Sequence, residues 1–263
     1  MRQLLSLILV LLDVLACVQN HVIPETLVGV KEVVAQIDSA ITDSPGWEPA
    51  DSTYKQARKT WTTFKQLIDA DKYERALDFY MAEDSTGLNA GDFLVYLRHS
   101  SQRYAFYTDV LRPLMQEYKG ANYALEDYVN NLKLEKAMED TAIALSANTN
   151  GYVPEVYPCV VWDLCLGLAI MGEVDDAEEL ANDMSKGVYG LTNDILLSNF
   201  VATQLITQVL IYTNKPNEAK NTWTVFRNFL LENKTDYEEA DLAQCLAAID
   251  DALKDLEMDS SKL

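Results

Sequence analysis

Apolar positions recur at helical spacing along most of the chain, and the longest such stretch runs over 160–229. There the pattern predicts two consecutive hairpins, each with an apolar helix, a short turn and a second helix. In each hairpin a turn residue stands five positions before an alanine, with Gly172 before Ala177 and Asn214 before Ala219. We therefore expect antiparallel helix pairs with small residues where the two helices cross.

An earlier stretch predicts a hairpin of the same kind. Helical spacing covers 53–69 and 72–82, and Ala76 stands where the two helices are expected to cross. Asp71 is followed three residues later by Glu74, which is the spacing of a capping box. The sequence therefore predicts that Asp71 caps the second helix of this hairpin.

The remaining segments are also predicted to be helical. Residues 18–52 are expected to hold one helix, over 25–42, followed by a linker that contains two prolines and a glycine. Helical spacing returns over 92–118 and 122–147, and Pro113 is expected to kink or restart the first of these helices.

A single amphipathic helix is predicted at the end of the chain. Thr235 and Glu238 have the spacing of a second capping box. The apolar stripe that follows recurs by four and three residues, at Leu242, Leu246, Ile249, Leu253 and Leu256. The other faces are rich in acidic residues, so this helix is expected to cap the helical array. Residues 259–263 are expected to be a frayed tail.

The hairpins resemble tetratricopeptide-type repeats. The resemblance is clearest in WTTFKQLIDADKYERALDFY, where Tyr73 follows the turn, Ala76 takes the small crossing position and Tyr80 lies one turn later. The crossing alanines fall at 76, 124, 177 and 219, so the intervals are 48, 53 and 42, whereas the family's regular repeat is 34. The resemblance implies an all-α fold over 53–258, with hairpins stacked as a short, irregular α-solenoid.

The first residues of the chain look like an export signal. In residues 1–17, Arg2 is followed by an apolar run that is shorter than the roughly 20 residues of a spanning helix. The end of the run, Val14-Leu15-Ala16-Cys17, resembles the lipobox of bacterial lipoproteins, which implies lipid attachment at Cys17 and a place in the bacterial cell envelope, in the outer membrane or periplasm. Ordinary cleavage after Ala16 and an N-terminal core helix of a cytosolic protein are the alternatives.

Charge and cysteine content narrow the classes of partner and cofactor. The formal charge of −20 disfavours nucleic acid, whose phosphates need clustered Lys and Arg. Cys159 and Cys165 are six residues apart and point to different faces of a helix, so we expect small apolar side chains there and no bridge between them. No cysteine or histidine spacing predicts a metal site, and we expect no cofactor.

No motif of catalysis is found in the sequence, so we expect that the protein is not an enzyme. A cluster of carboxylates is expected to complement a helix dipole, at Glu173, Asp175, Asp176, Glu178, Glu179 and Asp183. Most aromatic side chains are expected in the core.

The tetratricopeptide resemblance implies a non-catalytic, envelope-associated scaffold that holds a peptide or protein partner. The alternative is a small-ligand or glycan-binding lipoprotein of an outer-membrane uptake system, in which tyrosines such as Tyr104 and Tyr152 would contact the ligand.

Overall fold

The computed structural model of the chain describes residues 27–42, 52–84, 87–146, 156–185 and 195–260. These residues form an all-α fold, with one antiparallel pairing of two-residue strands, Glu83–Asp84 with Gly87–Leu88. The chain divides into two compact units between residues 160 and 161, whereas the sequence predicts a single helical domain over 53–258.

The first unit holds the helices that precede residue 157. They are α1 (Val28–Thr42), α2 (Ser52–Asp69), α3 (Tyr73–Met81), α4 (Asn89–Tyr96), α5 (Ser100–Ala105), α6 (Arg112–Lys119) and α7 (Ala121–Ser146). A π-helix, Phe106–Leu111, joins α5 to α6. Pro113 lies in the first turn of α6, and Leu111 and Arg112 before it keep helical backbone angles, so the chain passes from the π-helix into α6 without a break. The predicted kink or restart at this proline corresponds to this change of helix type.

The second unit continues with consecutive helices. The boundary between the units falls within α8 (Tyr157–Met171), which is followed by α9 (Val174–Ser185), α10 (Ile195–Tyr212), α11 (Pro216–Glu232), a 3₁₀ turn (Lys234–Asp236) and α12 (Glu239–Ser260). Helices α9 to α12 pack in chain order, each against the next. The predicted hairpin over 193–232 is therefore present as α10 and α11, and α12 continues two residues beyond the predicted end at 258.

Closely packed aromatic rings, most of them edge-to-face or tilted, fill the core of the first unit. Trp61 and Phe64 project from α2 towards Phe93 of α4 and Phe106 of the π-helix, with ring centroids 5.1–6.2 Å apart. The Trp61 indole N–H donates to Asp38 of α1 at 2.9 Å, so its polar edge is satisfied. The prediction that most aromatic side chains are packing residues is confirmed for this set.

In the second unit the apolar stripe of α12 packs against α11, as the sequence predicts for a helix that covers the end of the array. Leu242 and Ile249 are buried against Trp223 and Leu230 of α11. The other members of the stripe, Leu246, Leu253 and Leu256, pack partly buried against the same cluster. One face of α12 thus covers α11.

Both predicted capping boxes are wrong. The residue before α3 is Lys72, and Asp71 makes no hydrogen bond that caps α3; its carboxylate instead accepts from Lys31 at 2.9 Å and from the Tyr73 hydroxyl at 3.2 Å. Helix α12 begins at Glu239, too far along the chain for Thr235 to be its N-cap. Local spacing alone does not decide where a helix starts when a tight turn precedes it.

None of the helices within the described ranges is both long and apolar enough to cross a membrane.

Candidate functional site

Three hairpins share the same turn. Asp71, Gly172 and Asn214 each follow a helix with positive φ, at 57°, 85° and 61°. The amide of the next residue then donates to the carbonyl oxygen five residues earlier, from Lys72 to Leu67 at 2.9 Å, from Glu173 to Leu168 at 2.9 Å, and from Lys215 to Leu210 at 2.7 Å. This is the hydrogen bonding of a Schellman C-cap, which reverses the chain tightly.

The alanine five residues after each turn is fully buried. Ala76, Ala177 and Ala219 have no exposed surface, and the Cys165 thiol of α8 lies 3.3 Å from the Ala177 carbonyl oxygen. A larger side chain at these positions would push the two helices apart, so the predicted crossing role agrees with the geometry. The fourth crossing alanine of the predicted repeats, Ala124, is also buried. It stands only four residues after Gly120, the glycine of its turn.

Two of these turns lie at the same end of the second unit. The Lys215 ammonium, in the turn between α10 and α11, is 2.9 Å from a carboxylate oxygen of Glu178, near the start of α9. Four large apolar side chains are exposed at this end, and they are between 37% and 54% exposed: Ile170, Met171, Ile211 and Tyr212. We call these four residues the turn-end surface. Grouped exposed apolar side chains are typical of an interaction site.

The predicted carboxylate cluster borders this surface. Asp175 and Asp176 lie in the first turn of α9, where negative side chains complement the helix dipole. Among the residues described, no group of three or more His, Cys, Asp or Glu side chains could hold a metal ion. The cluster therefore gives this end of the unit a negative border.

The cysteines that the sequence singles out differ in their bonding and burial. Cys159 is disulfide-bonded, whereas Cys165 is a buried free thiol, so the two do not pair. The expectation of a small apolar side chain is therefore confirmed for Cys165 and wrong for Cys159. Burial raises the pKa of the Cys165 thiol to about 12, which leaves it protonated and unreactive. Cys17, the predicted lipid attachment site, and Tyr152 lie outside the described residues, and Tyr104 is half-buried.

A cavity of about 550 Å³ opens in the first unit. Helix α4 forms one wall through Phe93, Leu94 and Val95, while Tyr80 of α3 and Leu134 of α7 belong to other walls. Val95 and Leu134 are exposed, so they mark the side that is open to solvent. Apolar side chains therefore provide most of the lining.

One residue of this lining carries a buried tyrosine hydroxyl that has almost no accessible surface. Tyr107 lines it from the π-helix and is only 3% exposed. Its hydroxyl has no hydrogen-bond partner among the described residues. Burial raises the pKa of this hydroxyl, and the nearby charge of Glu135 raises it further, so it remains a neutral donor. A buried hydroxyl without a partner loses the hydrogen bonds that it makes with water.

A buried ion pair stands beside Tyr107. Arg103 donates to both carboxylate oxygens of Glu135 at 2.7 Å, and to the carbonyl oxygens of Leu97 and Arg98 at 3.1 and 2.8 Å. Glu139 approaches the same guanidinium at 3.7 Å, and burial raises the pKa of this second carboxyl. The ion pair links α5 to α7, next to the π-helix that carries Tyr107.

Tyr107 projects into the core because it belongs to the π-helix. Five of its six residues are buried, at Phe106, Tyr107, Thr108, Val110 and Leu111. A π-helical turn is wider than an α-helical turn, so it places consecutive residues against the same core. The local pattern of apolar residues predicts helix here, but it does not predict this extra width. The cavity was therefore missed at the sequence level, although Tyr107 belongs to an aromatic group that the sequence displays.

Comparison with protein-family models, curated proteins and solved structures finds no match to this chain.

Proposed function

We propose that this chain is a non-catalytic binding protein, built as a tetratricopeptide-like helical array, and that its second unit holds a protein or peptide partner. The observation that carries the proposal is the turn-end surface, where Ile170, Met171, Ile211 and Tyr212 are exposed at two neighbouring hairpin turns. Fully burying one large apolar side chain contributes about 1.5–3 kcal/mol. Four half-exposed side chains can therefore supply the apolar centre of an interface.

The charges around this surface define the partner more closely. Glu173, Asp175 and Asp176 lie beside the turn at 172, and the whole chain carries a formal charge of −20. Complementary charges speed association and fix the orientation of the partner. We therefore propose a partner segment with apolar residues at its centre and basic residues on its flanks.

We also propose that the chain is exported and anchored to the bacterial envelope by a lipid on Cys17. The support is the sequence of residues 1–17, with a cationic start, an apolar run and a lipobox-like end. Expression in a bacterial host with radiolabelled palmitate should label the wild-type chain. Labelling that persists in Cys17→Ser would remove the proposed attachment site.

Site-specific cross-linking tests the proposed interface. A photoreactive amino acid at position 212 should give one defined adduct with a partner from the envelope, whereas the same probe at Leu231 should not. Ile170→Glu with Ile211→Glu should abolish the adduct, because two charges would be buried at the apolar centre. Leu145→Glu, at a 77% exposed position on α7, is the matched control and should leave the adduct intact. An adduct that is equally strong in the double variant would contradict the proposal.

A small-ligand function is the second candidate, and the cavity in the first unit is the observation that favours it. It requires no contribution from the turn-end surface, so the two functions can be tested separately.

A further inference from the structure

We propose that a buried cluster in the first unit is a proton-linked latch, in which Glu139 holds a proton and loss of that proton at rising pH loosens the attachment of α5 to α7. The cluster consists of Arg103 on α5 with Glu135 and Glu139 on α7, and we call these three residues the Arg103 cluster. Their side chains are 7%, 0% and 6% exposed. The inference concerns the first unit alone and does not depend on partner binding by the second unit.

The guanidinium of Arg103 uses its hydrogen-bond donors on groups other than Glu139. Its Nε and Nη2 donate to the two carboxylate oxygens of Glu135 at 2.7 Å. Its Nη1 donates to the carbonyl oxygens of Leu97 and Arg98 at 3.1 and 2.8 Å. Glu139 Oε1 lies 3.7 Å from Nη2, which is too long for a hydrogen bond. Glu139 is therefore close to the positive charge, but its carboxyl is not hydrogen-bonded to it.

Charge balance within the Arg103 cluster indicates one proton on the two carboxyls. One guanidinium and two carboxylates would leave a net charge of −1 among buried side chains. A buried charge without a counter-charge is far less stable than a neutral carboxyl, so one of two such carboxyls keeps its proton. The two hydrogen bonds from Arg103 stabilise the charged form of Glu135, which leaves the proton on Glu139. Glu139 can donate this proton to Glu135, because the two side chains are within hydrogen-bonding distance.

The surroundings of Glu139 support this assignment. Burial raises the pKa of its carboxyl above the ordinary 4.5, and the charge of Glu135 raises it further, while the Ser100 hydroxyl and Arg103 offset only part of this rise. Tyr107 on the π-helix stays neutral because burial raises the pKa of its hydroxyl. Cations of the surrounding elements have partners of their own: Arg98 lies over the Tyr54 ring, Arg112 over the Tyr128 ring, Lys119 beside Asp78, and Lys136 beside Asp140, which also accepts from the Tyr157 hydroxyl of α8.

Arg103 connects three parts of the first unit. It holds α7 through Glu135, and it holds the turn between α4 and α5 through the carbonyl oxygens of Leu97 and Arg98. Once Glu139 is charged, it repels Glu135 and attracts the guanidinium away from these partners. Because the closed state binds the proton more strongly than the open state, opening is disfavoured at low pH and favoured above the raised pKa of Glu139. A rising pH therefore loosens residues 97–104.

Infrared difference spectroscopy tests whether the proton is present in the folded chain. A protonated carboxyl has a C=O band distinct from that of a carboxylate, and subtracting the spectrum of Glu139→Gln from that of the wild type isolates the band of this residue. We expect the band at low pH, and the midpoint of its loss at rising pH should lie above 4.5. Glu117→Gln, at an exposed position of α6, is the matched control and should retain the band. Absence of the band at every pH, or a midpoint at or below 4.5, would overturn the inference.

Hydrogen–deuterium exchange tests the loosening itself, in chains that all carry Asp127→Asn because burial also raises the pKa of Asp127. After correction for the intrinsic effect of pH, peptides covering 97–104 should exchange at least about twofold faster at pH 8 than at pH 5. Glu139→Gln keeps an uncharged side chain of the same shape and should remove this pH dependence, and Glu139→Leu takes its place if the glutamine variant does not fold. His99 is present in every chain, so a pH dependence that persists without Glu139 would assign the effect to His99 and refute the latch. Exchange that does not respond to pH in the chain with Glu139 intact would refute it as well.

Discussion

Replacing Gly172 with residues that carry a Cβ isolates the conformational contribution of the hairpin turn. Its φ of 85° lies in the left-handed region, and apart from the glycine and its two chain neighbours no described atom lies within 4 Å of a Cβ added there. Steric clash therefore adds nothing to the cost. The left-handed conformation destabilises the folded state by about 1–2 kcal/mol when the residue is not glycine. Replacing glycine also reduces the conformational entropy of the unfolded chain, which stabilises the fold by about 0.4–1 kcal/mol. We expect Gly172→Ala to destabilise the protein by about 1 kcal/mol.

The chain itself supplies the comparison for this variant. Asn214 occupies the equivalent position of the next hairpin at φ 61°, because asparagine tolerates this conformation better than other residues do. Gly172→Asn should therefore cost no more than about 0.5 kcal/mol, and Gly172→Val about 2 kcal/mol, since a β-branched side chain fits this region worst. Gly29→Ala, at an exposed helical position with ordinary φ, is the control and should be neutral or slightly stabilising.

Urea unfolding followed by tryptophan fluorescence measures these differences, because Trp162 and Trp223 are buried in the second unit with the altered turn. The transitions of the two units are fitted separately if they do not coincide. A neutral Gly172→Ala, or a Gly172→Asn as costly as Gly172→Val, would refute the shared-turn explanation.

Three further predictions concern the packing and the buried charges. Arg103→Met should destabilise the first unit by about 3–5 kcal/mol in urea, because it leaves the fully buried Glu135 without its partner, and adding Glu135→Leu should recover most of that loss. Ala177→Leu should cost about 1–3 kcal/mol in the same assay, since the crossing has no room for three more carbons. Burial raises the pKa of Asp127 to about 6, above its usual 3.8, so its charge penalises the folded state fully above pH 6 and not below about pH 4. Asp127→Asn should therefore stabilise the protein at pH 7.5, and that gain should fade as unfolding is measured at falling pH; a gain that grows towards pH 4 would contradict the assignment.

Features that depend on neighbouring residues in the chain could be predicted from the sequence. Gly172, Asn214 and the alanines five residues later mark the hairpins because a tight turn and a close crossing both require particular residue types. The stripe on α12 predicted its buried face for the same reason. Turn geometry also explains the failed cap at Asp71, because that residue adopts positive φ to end α2 and cannot also start α3 from the extended conformation of an N-cap.

Features that depend on distant residues could not be predicted. The Arg103–Glu135 pair joins residues 32 positions apart, and no local spacing identifies which of many carboxylates meets a given arginine. The cavity arises from α3, α4, α7 and the π-helix together. Tyr107 is recognisable as an aromatic residue in the sequence, but its unpaired hydroxyl becomes evident only when these elements are assembled.

Hydrogen–deuterium exchange of the chain, alone and with its cross-linked partner segment, tests partner binding at the turn-end surface most directly. We predict slower amide exchange in peptides covering 168–174 and 210–216, with exchange in α7 unchanged. Protection confined to the first unit, or no change at either turn, would contradict the proposed function.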